Sequence, residues 1–77
     1  MQKNKKVNFP IYKILWCKIR YWQSLRDISN DMLASYLNVS KRTVNDYDKT
    51  ACNITLGQLD SFLNKNNIEL SDLLEMK

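Results

Sequence analysis

Apolar residues recur at spacings of three and four along most of the chain, and no stretch shows the two-residue alternation of a half-buried strand. Pro10 suits the first position of a helix, where its missing N–H would be unpaired anyway, and helix 1 is expected to run from there to about Arg26. It carries two stripes. Ile11, Leu15, Ile19 and Trp22 are expected to face the core, and Ile14, Cys17, Tyr21 and Leu25 form a second row beside them. Further on, Thr55 and Gln58 stand three apart before Leu59 in the arrangement of a capping box, which starts a helix running to about Lys65 with Leu56, Leu59, Phe62 and Leu63 inward. Asn66-Asn67 breaks it. Ile68 and Leu70 then pack as the chain turns, Ser71 caps a last short helix, and Leu73 and Leu74 close the core.

Between these outer helices lies Ser29 to Lys49, which fits two short amphipathic helices, Asn30 to Leu37 and Lys41 to Lys49. Asn38 tolerates the left-handed conformation that ends a helix, and Ser40 offers a hydroxyl to an unpaired N–H at the start of the next. Two helices joined by so short a turn make a helix-turn-helix. Leu33, Ala34 and Leu37 face inward on the first, Val44 and Tyr47 on the second, and Val39 plugs the turn. The opposite side of the second helix is polar: Lys41, Asn45 and Lys49 form one row, Arg42 and Asp46 the next.

The run Ser-Asn-Asp-x-Leu-Ala-x-x-Leu-x-Val-Ser-x-x-Thr-Val-x-x-Tyr-Asp from Ser29 to Asp48 resembles the helix-turn-helix of the Cro and phage-repressor (Xre-type) DNA-binding domains. The resemblance extends back to Leu15, Ile19 and Trp22 and on through Ile54-Thr55-Leu56 to Leu74. It implies an all-α, lambda-repressor-like domain of five helices over residues 9–77, after a basic arm over residues 1–8. It also implies a transcriptional regulator from a bacterium, phage or mobile element. Asn38 stands where the family usually has Gly, and Asn30 replaces a common phosphate-binding Gln. Gln23 occupies the place of an Arg that often pairs with an acid at the position of Asp48, so that ion pair is expected to be absent here.

The chemistry of the polar row suits DNA. Arginine gives two parallel bonds to guanine O6 and N7, and asparagine pairs similarly with adenine N6 and N7, which makes Arg42 and Asn45 the leading base readers. Lys41 can reach guanine or a phosphate, and Asp46 either accepts from cytosine N4 or restrains Arg42 one turn away. Lys49 is placed for the backbone, and Asn30 either presents its amide to a phosphate or helps Ser29 cap its helix.

With 77 residues the chain is one domain near the lower size limit for a core without metals or disulfides. Its net charge of +4 is unevenly spread, since all eight acids lie from Asp27 onward and Lys3, Lys5 and Lys6 precede any of them. A polyanionic partner fits that asymmetry, with the three lysines as further backbone contacts. Cys17 and Cys52 form no metal-binding spacing and the chain has no His, so reduced thiols, no metal and no cofactor are expected. No base stands near Ser35, Ser40 or Ser61 in any recognisable catalytic arrangement, there is no glycine-rich phosphate loop, and an enzyme is not expected. The apolar run of helix 1 is interrupted by Lys13 and Lys18, which argues against a signal peptide or membrane span and for a cytoplasmic protein. A helix-turn-helix of this size reads few base pairs alone, so a homodimer on double-stranded DNA is expected, with Ile14, Cys17, Tyr21 and Leu25 as its contact and the last helix as the rival. The competing reading uses the same stripe to hold a different protein, as an inhibitor or antirepressor would.

Overall fold

The computed structural model describes residues 9–76, and the arm lysines Lys3, Lys5 and Lys6 lie outside that range. Among the described residues there are five helices and no strand: α1 (Ile11–Leu25), α2 (Asn30–Leu37), α3 (Lys41–Lys49), α4 (Leu56–Lys65) and α5 (Leu70–Leu74). No helix among them is long and apolar enough to cross a membrane. The protein is a small all-α domain in which α2 packs on both α3 and α4, and α1 on α5.

Three of the helices end in the same way. Asp27, Asn38 and Asn67 take left-handed φ angles of 54°, 61° and 55°. The following N–H of Ile28, Val39 or Ile68 turns back to the carbonyl of Gln23, Ala34 or Leu63. This closure satisfies an otherwise unpaired carbonyl and throws an apolar side chain back against the helix just ended. Ile28, Val39 and Ile68 accordingly pack, partly buried, on the core. The helix starts are local as well. Ser29 accepts from the N–H of Met32, Ser40 from that of Thr43 and Thr55 from that of Gln58, each at 3.1 Å.

Ile19, Leu33, Leu37, Val44, Phe62 and Leu73 are fully buried at the centre. Trp22 stands edge-on to Phe62, with ring centroids 4.9 Å apart, and to Tyr36 at 6.1 Å. Each such aliphatic or aromatic side chain contributes about 1.5–3 kcal/mol by leaving water.

The buried arc of α1 keeps Leu15, Ile19 and Trp22 of the expected stripe and departs from it at Ile11. Leu15, Trp16, Ile19, Trp22 and Gln23 are buried, and Ile11 is 72% exposed. The inward arc is rotated toward Tyr12 and Trp16, because the amphipathic Trp16 indole finds an acceptor on α3, and Ile11 is left on the outer side of the first turn. Leu56 is likewise 83% exposed rather than inward. At the start of α4 it is Gln58 that turns toward α3, where its Oε1 accepts from the Tyr47 hydroxyl at 2.8 Å. Pro10 precedes α1 instead of opening it, its carbonyl accepting from the N–H groups of Lys13 and Ile14. Ser71 lies inside α5; the residue before that helix is Glu69, whose N–H donates to Asp72 Oδ2. Leu73 alone closes the core there, with Leu70 and Leu74 both exposed, since a one-turn helix has room for one inward side chain.

Candidate nucleic-acid interface

The α2–α3 pair is held rigidly from three sides. Asn38 makes the left-handed turn, Val39 packs beneath it, and Ser40 begins α3 with its hydroxyl on the Thr43 N–H and 3.0 Å from the Thr43 hydroxyl. From α4, Ser61 Oγ donates to the Tyr36 carbonyl at 2.8 Å and Lys65 Nζ to that of Ser35 at 2.9 Å, which satisfies carbonyls of the last turn of α2. Tyr47 anchors the inner face of α3 twice, through its hydroxyl on Gln58 and through an edge-on contact with Trp16, centroids 5.3 Å apart.

With Val44 and Tyr47 buried, the outer side of α3 is set by helical geometry. Lys41, Arg42, Asn45, Asp46 and Lys49 are all exposed on it. Of the two roles left open for Asp46, the restraint of Arg42 does not form: the ion pairs among the described residues are Arg20–Asp48 and a long, solvent-exposed contact of 3.7 Å from Lys41 to Asp31. Among the described residues Arg42 and Lys49 are in no ion pair.

The acid on α3 that is engaged is Asp48, and its partner comes from α1. Arg20 grips both carboxylate oxygens, Nε on Oδ1 at 2.9 Å and a terminal nitrogen on Oδ2 at 2.5 Å, while the Trp16 indole N–H donates to Oδ1 at 2.8 Å. The pair expected to be lost, between residue 23 and Asp48, is absent, and a different one stands at Asp48. Gln23 carries no charge, and Arg20, one turn earlier on α1, supplies it. Its other terminal nitrogen donates to Gln23 Oε1 at 2.6 Å and to Asn30 Oδ1 at 2.7 Å, and Gln23 Nε2 donates to Asn30 Oδ1 and to the Ile28 carbonyl, both at 2.9 Å. A two-pronged guanidinium and a buried amide thus tie α1 to the last turn of α3 and the first residue of α2. The hydrogen bonds from Arg20 hold the Asp48 carboxyl below its ordinary value, against a smaller opposing effect of burial and with help from Trp16.

Asn30 is placed by this network more than by Ser29, which caps α2 unaided. Its Oδ1 is committed to Arg20 and Gln23, so its Nδ2 is the amide atom left to face outward. Trp16, Arg20 and Asp48 were not singled out as a site by sequence. The signal that points to them is an amphipathic Trp and an Arg four apart on α1, matched to an acid on the final turn of α3.

The second stripe of α1 lies outside the core, with Ile14, Cys17, Tyr21 and Leu25 all exposed. Both cysteines are free. No group of three or more His, Cys, Asp or Glu residues is placed to hold a metal ion among the described residues. Compared with known proteins, the chain matches no family model, no curated protein and no solved structure at a significant level.

Proposed function

We propose that this domain is a sequence-specific DNA-binding regulator of the Cro/phage-repressor kind, acting as a homodimer in a bacterium or one of its mobile elements. The observation that carries the reading is the division of α3. Two side chains bury it against the rest of the domain, and the exposed side offers Arg42, Asn45, Lys41 and Lys49, with no acid among the described residues paired to Arg42. Inserted in the major groove, the N-terminal half of α3 brings Arg42 to a guanine edge and Asn45 to an adenine edge. Lys49, one turn further along, meets the phosphate backbone. The α2 N-terminus, with Asn30 Nδ2 beside its free N–H groups, meets a phosphate on the flanking strand. Asp46 accepts from a cytosine amine if the pair following the Arg42 contact is suitably oriented.

A phosphate contact has a signature that a base contact lacks. Replacing Lys49 with Ala should weaken binding to all duplexes alike and reduce the slope of log affinity against log salt by about one. Fluorescence anisotropy of labelled duplexes over a salt series measures both, and an unchanged slope would remove Lys49 from the backbone contacts.

The second reading, a domain that holds another protein through the outer face of α1, draws on the exposure of Ile14, Tyr21 and Leu25. It leaves the cations of α3 without a purpose, and for that reason stands second.

A further inference from the structure

Among the described residues, the exposed large apolar side chains are concentrated: apart from Met32 and Leu56, all lie on α1, on Phe9 just before it, or on α5. On α1 they form a continuous outer row in which Leu25, at 61%, is among the most exposed. Its N-terminal end is a shallow apolar depression of about 270 Å³ floored by Phe9, Ile14 and Cys17 and flanked by Lys13 and Lys18. On α5 the exposed pair is Leu70 and Leu74, one turn apart beside the buried Leu73. The two surfaces adjoin, because Lys18 on the edge of the α1 row donates to the Met76 carbonyl just beyond α5 at 2.6 Å.

Charge divides these two helices. Residues 9–26 hold Lys13, Lys18, Arg20 and Arg26 and no acid, and residues 69–76 hold Glu69, Asp72 and Glu75 and no base. No ion pair among the described residues engages Lys13, Arg26, Glu69, Asp72 or Glu75. A contact of α1 with its own symmetry mate would set cations against cations, and one of α5 with its mate would set acids against acids. Crossing the two removes both conflicts.

We propose that the outer face of α1 docks on α5 of a second copy of this chain, and α5 on that copy's α1, about a two-fold axis. Each half-contact joins an apolar row flanked by cations to an apolar pair flanked by acids, and the symmetry makes the two halves identical. Complementary charge fixes which helix meets which, while the leucines and isoleucine supply the buried area. The inference specifies the dimer within the DNA-binding reading and rests on it only for its purpose, because the dimer is expected to form without DNA.

Sedimentation velocity of the full chain in the absence of DNA tests it. The wild-type protein, 9.1 kDa as a monomer, should sediment as a dimer at high concentration, with a dissociation constant that rises with salt. Lys13→Glu/Lys18→Glu and Glu69→Lys/Glu75→Lys should each stay helical by circular dichroism and self-associate at least roughly tenfold more weakly. An equimolar mixture of the two should dimerise again, since both crossed contacts then regain opposite charges. Glu69→Lys/Glu75→Lys remaining dimeric alone would place the contact between α1 helices, and Lys13→Glu/Lys18→Glu remaining dimeric alone would place it between α5 helices. Either result would overturn the crossed dimer, as would a mixture of folded monomers or a wild-type dimer that tightens with salt. DNA binding by a wild-type monomer would reject the dimer and leave the recognition helix standing.

Discussion

Arg42→Ala should relax discrimination at one base pair of the bound site by about 1–3 kcal/mol while leaving the other positions as selective as before. The effect follows from where the guanidinium stands. Arg42 is in the first turn of α3, exposed and in no ion pair among the described residues, so its two parallel donors are free for the O6 and N7 of a guanine. Removing them leaves those acceptors to water. The change should be confined to one position because α3 itself is held from its other side by Val44 and Tyr47, which the substitution does not touch. Comparing affinities of the variant and wild-type protein for duplexes changed one base pair at a time measures this directly. Loss of affinity spread evenly over all positions would make Arg42 a backbone contact, and the division of labour with Lys49 would fall.

The second large effect is on stability. Asp48→Ala should cost about 1–3 kcal/mol, and Asp48→Asn clearly less. The cost comes mainly from the Trp16 indole, which is buried and loses its acceptor in the alanine variant, whereas an asparagine oxygen can still take that bond. The attraction between Arg20 and Asp48 adds less, because both side chains are partly exposed and water screens them. The same site predicts the acid limb of stability. A carboxyl held below its ordinary value contributes fully above 3.8, the value it has when unfolded, and its contribution fades as the pH falls through the lower folded value. Wild-type protein should therefore lose part of its stability below about pH 4, and Asp48→Asn should lose less over the same range. Urea unfolding followed by tryptophan fluorescence at several pH values separates these cases. Equal destabilisation by Ala and Asn would mean that the charge, not the indole bond, holds α1 to α3.

The parts of the fold that sequence made legible are those set by neighbouring residues. Ser40 and the Thr55–Gln58 box mark helix starts because the bonding partners are three residues away, and α2, α3 and α4 begin and end where those rules place them. Asn38-Val39 and Asn67-Ile68 each join a left-handed residue to an apolar one that folds back on the core. Asp27-Ile28 is a third instance, less visible because aspartate is the rarer choice at such a site. What spacing alone does not settle is how far the inward stripe of Leu15, Ile19 and Trp22 extends, to Ile11 or to Trp16. That choice depends on an acceptor for Trp16 that lies 32 residues away on α3. Leu56 and Leu74 mislead for a related reason. Both continue an apolar spacing at the extremity of a helix, where no neighbouring element is left to cover them. For the candidate interface, the exposed row on α3 followed from periodicity, while Arg20 and Asp48 pair across 28 residues and leave no local pattern.

Selection of bound sequences from random duplex DNA bears most directly on whether α3 reads bases. A recognition helix of this kind should enrich a short motif with a guanine contact weakened specifically by Arg42→Ala. As a dimer it should repeat that motif in inverted orientation, with half-sites about one DNA turn, roughly 34 Å, apart. A retained pool indistinguishable in sequence from the input, bound only through salt-sensitive contacts, would contradict sequence-specific recognition by this domain.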